Sequence, residues 1–314
     1  MALDPLSQKI VDVLSAGFPR VGETVFDAAE ARASLAALPA KAEIPRTPVA
    51  RIEDRTVPGT AGPIPVRLYW PGEDARNLPV VVFFHGGGFV FGNLDGHDAM
   101  ARDLCAGAGA IVVSVDYRLA PEHPCPAAAE DAYSSLLWVH ENAVSLGGDP
   151  ARIGVAGDSA GGNLAAVTCL RSRDEKGPAI SHQLLIYPAL DSAQSTASYT
   201  AHAEGGFLTA RAMAWFWEQY LGPEADGGHP YVSPLRAPDL SGLPPACVIT
   251  AEHDPLRDEG EAYAIRLAES GVGAEVHRFD GAFHGFLSVS HILGYAREAL
   301  SLAASAQRKA LGTE

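Results

Sequence analysis

Hydrophobic residues change their spacing along the chain, and these changes divide it into predicted elements. In the first forty residues, two groups of apolar residues recur at helical spacing: Ile10, Val11 and Leu14, then Phe26, Ala29, Ala33 and Ala37. Pro19 separates the groups, so the pattern predicts two amphipathic helices. Pro39, Pro45 and Pro48 then mark a connector.

After the connector the pattern becomes that of strands. Residues 50–57 and 64–70 alternate between apolar and polar positions across a Pro- and Gly-rich turn, which predicts an antiparallel pair at a sheet edge. Continuously apolar runs, typical of parallel strands buried on both faces, follow at 80–84, 111–115, 153–156, 184–187 and 246–250. Helical patterns lie near 97–108, 127–144, 160–173 and 256–269, and a last strand and helix are predicted at 274–279 and 290–307.

The alternation of strand and helix predicts an α/β fold with a mostly parallel sheet of eight strands, flanked by helices. One segment interrupts it, because residues 187–246 contain a Ser/Thr-rich loop and an aromatic helix at 209–221. We expect an insertion at about 190–240, together with N-terminal helices in 1–45, to form a cap over a main domain of residues 46–314. Such a cap would cover the carboxyl ends of the strands, where open α/β sheets bind ligands.

Composition narrows the class of protein. The chain has 314 residues, of which 47% are hydrophobic and 19% charged, as in ordinary soluble globular proteins. Its formal net charge of −15 argues against nucleic acid and anionic membranes as partners. Four dispersed cysteines suit neither a metal site nor a disulfide framework, and no signal peptide or membrane span is recognised. A cytoplasmic protein without stable membrane insertion is therefore expected.

One serine has the surroundings of a nucleophile. Residues 157–161 read Gly-Asp-Ser-Ala-Gly, which fits the G-x-S-x-G turn that holds a serine hydroxyl out between a strand and a helix. A serine at such a turn needs a base, a group that orients the base, and donors for the oxyanion. The short pattern alone is common, so the rest of the chain decides whether Ser159 is a nucleophile.

Candidates for each of these groups occur in order along the chain. The strand at 80–84 leads into His-Gly-Gly-Gly at 85–88, which is typical of an oxyanion loop. Asp254 follows the seventh strand and is the best candidate for the acid, with Glu252 and Asp258 as alternatives. His284 follows the last strand, and the order Ser159, Asp254, His284 is that of α/β-hydrolases.

Five motifs together resemble the hormone-sensitive-lipase family of bacterial esterases. They lie at residues 85–88, 117–124, 157–163, 254–259 and 281–286. The resemblance implies an α/β-hydrolase fold with a helical cap and a carboxylesterase that hydrolyses small esters of short to medium acyl chains without a metal or organic cofactor. It assigns Ser159 as nucleophile, His284 as base and Asp254 as its orienter. It also implies an oxyanion hole made of backbone N–H groups, those of Gly87, Gly88 and Ala160.

The resemblance suggests further expectations around these motifs. Arg118 and Glu122 are expected to support the site structurally, and Cys125 stands where relatives often carry an aromatic residue. Apolar residues near the motifs are expected to line the substrate pocket, although each is as well explained by packing: Phe89, Phe91, Phe207, Leu208, Phe283 and Phe286. Relatives often form homodimers along the edge of the last strand, here 274–279.

Alternatives stay open at this point. A lactonase, an amidase or a carbohydrate-ester deacetylase would use the same three side chains. A ligand receptor on this fold would have lost its chemistry, and the intact His284 argues against it.

Overall fold

Eight strands form one sheet within the residues described by the computed structural model, which are 3–37, 46–74 and 76–313. The strands are β1 (Arg51–Gly59), β2 (Gly62–Trp70), β3 (Leu78–Phe84), β4 (Ile111–Val115), β5 (Gly148–Asp158), β6 (His182–Ile186), β7 (Ala246–His253) and β8 (Ala274–Phe283). Their order across the sheet is β1-β2-β4-β3-β5-β6-β7-β8. Only the pairs β1–β2 and β2–β4 are antiparallel among these strands. The predicted mostly parallel sheet with an antiparallel edge is confirmed.

Helices cover both faces of the sheet. They are α1 (Pro5–Gly17), α2 (Ala28–Ala36), α3 (Asp98–Ala108), α4 (Ala127–Asn142), α5 (Ala160–Asp174), α6 (Ala197–Ala201), α7 (Ala210–Leu221), α8 (Arg257–Glu269) and α9 (Gly294–Leu311). Short 3₁₀ turns lie at Val144–Leu146, Pro234–Arg236 and Phe286–Val289. Alternate residues of each buried strand face opposite layers, as Val82 and Phe83 of β3 do. The two apolar layers explain why the parallel strands have uninterrupted hydrophobic sequences.

The structure corrects the predicted buried face of α2. The expected stripe was Phe26, Ala29, Ala33 and Ala37, but all four are exposed, and Phe26 lies before the helix. Ala28 and Ala31 are buried instead. Alanine contributes little to a hydrophobic pattern, so this short helix gave no clear period. The connector prolines Pro39 and Pro45, and the proposed boundary at residue 45, lie outside the described residues.

Other boundaries also differ, and the starts of β5 and α9 do so for local reasons. Strand β5 begins at Gly148 rather than at 153, because Gly148 already pairs with Leu78 of β3. The register then shifts, and regular pairing with β3 resumes at Ile153. Helix α9 begins at Gly294 rather than at 290, because the residues after the 3₁₀ turn at Phe286–Val289 form a further turn, in which the Ile292 and Leu293 N–H groups donate to the Val289 carbonyl at 2.9 and 3.0 Å. The segment between β6 and β7, all of it described, contains α6 and α7 and no strand, as the sequence predicts. No helix in the described part combines the length and apolar character needed to cross a membrane.

A buried histidine in the sheet should make the fold sensitive to acid. Burial lowers the pKa of His182 in β6 to about 4, below the unfolded value of 6.5. The unfolded chain therefore binds the extra proton first, and stability falls as pH drops through this window. Between about pH 7 and about pH 5 this one group should remove about 2 kcal/mol of unfolding free energy.

Urea denaturation at both pH values measures this loss. His182→Gln should lose less stability on acidification than the parent, by about 2 kcal/mol. His140→Gln, which replaces an exposed histidine of α4, serves as the control and should behave as the parent. An unchanged acid response in folded His182→Gln would show that His182 does not couple protonation to unfolding.

Candidate active site

Ser159 lies on a sharp turn between β5 and α5. Its backbone has φ 55° and ψ −117°, a strained conformation for a residue with a side chain. The flanking glycines make the turn possible, since a Cβ on Gly157 would lie 2.1 Å from the Gly161 carbonyl oxygen. A Cβ on Gly161 would lie 1.9 Å from the carbonyl oxygen of Phe84 at the end of β3. The turn therefore places the serine directly beside the loop that follows β3.

His284 and Asp254 extend from the Ser159 hydroxyl in a line. The Nε2 atom of His284 is 3.0 Å from Ser159 Oγ, and its Nδ1 atom is 2.7 Å from Asp254 Oδ2. Asp254 is fully buried, and its other oxygen accepts a hydrogen bond from the Leu256 N–H at 2.9 Å. A carboxylate can only accept, so it favours the tautomer with the proton on Nδ1. Nε2 is then free to accept the serine proton.

The alternative acids have other partners. Glu252 accepts a hydrogen bond from the Gly281 N–H at 2.7 Å. Asp258 accepts one from the Ser198 N–H at 2.8 Å and pairs with Arg257. The structure thus brings Asp254 to His284 and gives both alternatives structural contacts.

The glycine loop after β3 presents backbone donors beside the serine. Gly87 and Gly88 have φ values of 121° and 61°, which glycine adopts at little cost. The Gly87 carbonyl accepts the N–H groups of Val90 and Phe91, at 3.1 and 2.8 Å, and so closes a tight turn. Within the described residues, the N–H groups of Gly87, Gly88 and Ala160 have no hydrogen-bond acceptor. Such donors are available to a ligand oxygen.

A buried carboxylate fixes the start of this loop. Asp158 Oδ1 accepts the Gly86 N–H at 2.8 Å and lies 3.6 Å from His97 Nε2. Burial alone raises the pKa of Asp158, but His97 and the Gly86 N–H outweigh burial and hold the pKa below its usual value. Asp158 is therefore ionised at neutral pH.

The histidine that opens the loop is buried and neutral. Burial lowers the pKa of His85 to about 3. Its ring stacks on Tyr117 at 4.3 Å, and the Tyr117 hydroxyl donates to the His85 carbonyl at 2.7 Å. These contacts hold the loop at the end of β3 without introducing a charge.

The six predicted pocket residues fall into two groups. Phe89, Phe283 and Phe286 are buried with at most 1% exposure, and Phe89 stacks on Tyr220 of α7 at 3.8 Å. All three pack within the hydrophobic core, and their place in a substrate pocket stays a prediction. Phe91, Phe207 and Leu208 are buried or half-buried, and the rings of Phe91 and Phe207 are each 5.4 Å from the ring of Phe18.

Several residues near the site were not predicted. Phe18 joins the two rings just described, and the ring of Phe216 lies where a Cβ on Gly88 would be, at 2.2 Å. His97 is the partner of Asp158. The sequence offers only a weak signal for His97, which is its place next to Asp98. Phe18 and Phe216 look like ordinary core residues in the sequence.

Arg118 and Glu122, which the resemblance marks as supports of the site, each form an ion pair. Arg118 Nη2 forms an ion pair with Asp131 Oδ1 at 2.8 Å. Glu122 pairs with Arg32 of α2 at 2.7 Å. Cys125 lies beside α7, where its N–H donates to the Tyr220 carbonyl at 2.7 Å.

Comparisons with known proteins place the chain in a family. Residues 81–288 match the family model described as an alpha/beta hydrolase fold. A carboxylesterase of Mycobacterium tuberculosis, NlhH, is 45% identical over 98% of this chain and 96% of its own. The chain belongs to the hormone-sensitive-lipase-like family of α/β-hydrolases. The fold and family expected from the sequence are confirmed.

Other relatives of this α/β-hydrolase are also named as ester hydrolases. The solved structure of a hyperthermophilic esterase from Pyrobaculum calidifontis has a TM-score of 0.90 at 45% identity, and the match covers 98% of this chain and 99% of that one. An ethyl acetate hydrolase of Pseudomonas putida is 37% identical over 79% of both chains. The similarity thus extends over 99% of the archaeal esterase and 79% of the Pseudomonas hydrolase.

Proposed function

We propose that this α/β-hydrolase is a serine carboxylesterase that hydrolyses small esters of short to medium acyl chains. The line of contacts from Ser159 Oγ through His284 to Asp254 is the observation that carries the proposal. The relative from Pseudomonas putida is named for ethyl acetate, a short-chain ester, which supports the substrate class.

In the proposed mechanism, Ser159 Oγ attacks the ester carbonyl carbon while His284 Nε2 takes the hydroxyl proton. Asp254 keeps the imidazole oriented and stabilises the imidazolium that forms. The alkoxide of the tetrahedral intermediate collapses, the C–O bond to the alcohol breaks, and His284 returns the proton to the leaving alcohol. Water then attacks the acyl-enzyme by the same steps and releases the acid and the free serine.

The proposed oxyanion hole consists of the N–H groups of Gly87, Gly88 and Ala160. Their lack of protein acceptors in the described chain and their place beside Ser159 support this role. Loss of one such donor typically lowers kcat by about 10² to 10³. Because the donors belong to the backbone, the loop conformation is as important as the identity of its residues.

We further propose that the N-terminal helices and the 190–240 insertion form a cap over the site. The Trp215 indole N–H of α7 donates to the Phe26 carbonyl at 2.9 Å, which ties the two segments together. The ring of Phe18 packs edge-on against the rings of Phe91 and Phe207. Phe91 and Phe207 are the proposed pocket residues that these contacts support, and Leu208, which is buried, stays a prediction.

Location and assembly stay predictions. Free thiols at all four cysteines agree with a cytoplasmic location. The proposed homodimer would use the edge of β8, where Val276 is 41% exposed.

A substrate panel tests the proposed activity. We expect p-nitrophenyl acetate, butyrate and hexanoate to be hydrolysed with higher kcat/KM than the palmitate, because Phe216 lies against Gly88 of the glycine loop and Phe207 lies against Gly285, which adjoins His284. The corresponding anilide, a lactone and an acetylated oligosaccharide distinguish an amidase, a lactonase and a deacetylase. Faster turnover of any of these than of the short p-nitrophenyl esters would contradict the proposed substrate class.

A further inference from the structure

An arginine of the N-terminal segment binds the loop that carries the proposed oxyanion hole. Arg32 lies in α2, and its Nε donates to the Val90 carbonyl at 2.9 Å. Its Nη2 donates to the Ala120 carbonyl at 2.6 Å. These partners are 58 and 88 residues away in sequence. One guanidinium therefore joins α2 to the glycine loop and to the segment that contains Ala120.

The two carbonyls belong to one hydrogen-bonded unit. The Val90 N–H donates to the Gly87 carbonyl at 3.1 Å, so the Arg32 contact lies on the same peptide turn as Gly87 and Gly88. The Ala120 N–H donates to the Phe89 carbonyl at 2.9 Å. Arg32 thus holds the glycine loop from its far end and also holds the segment on which that loop rests.

A carboxylate fixes the orientation of this guanidinium. Glu122 binds Arg32 with both oxygens, at 2.7 and 2.9 Å. The hydrogen bond from Arg32 holds the pKa of Glu122 below its usual value. The bidentate pair orients the planar group, so that its remaining N–H bonds point at the two carbonyls.

The ion pair and the two carbonyl contacts of Arg32 differ in solvent exposure. The Arg32 and Glu122 side chains are 30% and 52% exposed, and an ion pair this open contributes little to folding stability. The two carbonyl contacts lie in more buried surroundings and involve the active-site loops. These two hydrogen bonds therefore act mainly by fixing the positions of the loops that contain Val90 and Ala120.

We propose that Arg32 is a positioning residue for ester hydrolysis, which holds the N–H groups of Gly87 and Gly88 where the oxyanion develops. The N-terminal segment would then contribute to turnover as well as cover the site. This inference rests on the proposed function, since it concerns the oxyanion hole of that reaction. Transition-state stabilisation depends on donor position, and small displacements of a catalytic group are costly.

The test compares variants on p-nitrophenyl butyrate. Arg32→Ala should lower kcat by about 10-fold, less than the loss of a whole oxyanion donor, with KM changed by less than about 2-fold. Arg32→Lys should recover part of kcat, because a lysine can reach one carbonyl but cannot reproduce the planar fork. The rate of covalent inactivation by diethyl p-nitrophenyl phosphate should fall in parallel, because that reaction also develops a charged oxygen in the same place.

Arg20→Ala provides the matched control. Arg20 precedes α2 and has a side chain that is 69% exposed. Among the described residues its guanidinium group pairs with Glu23 and not with a carbonyl of the glycine loop. It should keep the wild-type kcat and inactivation rate. A folded Arg32→Ala with wild-type kcat and a lowered Tm would overturn the proposal, because it would show a structural role alone. If Arg32→Ala fails to fold, a wild-type kcat in Arg32→Lys would overturn it equally.

Ser159→Ala is measured beside these variants to separate the two proposals. Loss of turnover in Ser159→Ala together with full turnover in Arg32→Ala rejects only the role of Arg32. Retained turnover in folded Ser159→Ala rejects the proposed function itself.

Discussion

Ser159→Ala should lower kcat for p-nitrophenyl butyrate by about 10⁶-fold while the protein stays folded. The serine hydroxyl is the group that His284 contacts at 3.0 Å, and no acyl-enzyme can form without it. Alanine is smaller and fits the same turn, since the neighbouring glycines provide the close contacts. The residual rate should come from the oxyanion donors and substrate binding alone.

The control for this variant is Ser301→Ala. Ser301 lies exposed on α9, and its hydroxyl donates to the Arg297 carbonyl at 3.0 Å. It should keep the wild-type kcat. Circular dichroism and Tm show whether Ser159→Ala is folded, and turnover near the wild-type rate in the folded variant would refute the assignment of the nucleophile.

Asp254→Asn should lower kcat by about 10⁴-fold. The carboxylate lies 2.7 Å from His284 Nδ1 and is fully buried, so water cannot replace it. An asparagine can present its amide N–H₂ to the ring, which favours the tautomer with the proton on Nε2. That tautomer cannot accept the proton of Ser159, although the side chain keeps nearly the same shape and the Leu256 N–H keeps an acceptor.

Asp258→Asn shows whether the loss of activity is specific to Asp254 or follows from replacing any nearby carboxylate. Asp258 lies on the first turn of α8 and accepts the Ser198 N–H, so its replacement disturbs local structure without touching His284. We expect a modest change in Tm and kcat within about 3-fold of wild type. A larger loss in Asp258→Asn than in Asp254→Asn would move the role of the acid to Asp258.

Much of the fold could be predicted because burial on both faces produces continuous apolar strands. Residues 80–84 and 111–115 were predicted within two residues of β3 and β4. Prediction failed where a strand began with polar residues, as in β5, and where a helix consisted mostly of alanine, as in α2. In both places contacts with distant parts of the chain determine the structure, and the spacing of hydrophobic residues does not reveal it.

The site was predictable in part, for a related physical reason. Ser159 and the glycine loop are recognisable because a strained turn and close backbone contacts require small residues at fixed spacing. Arg32 and Phe18 act through contacts with residues far along the chain, and no local pattern distinguishes them from surface or core positions. The residues that perform the proposed chemistry could be read from motifs, whereas those that position them required the structure.

Covalent labelling tests the central claim, that Ser159 is the nucleophile of this esterase. The protein is treated with diethyl p-nitrophenyl phosphate, digested, and examined by mass spectrometry. We predict one diethylphosphoryl group per chain, attached to Ser159 and formed in step with the loss of activity, and none in Ser159→Ala. Labelling of another residue in step with inactivation, or equal labelling of folded Ser159→Ala, would contradict the account.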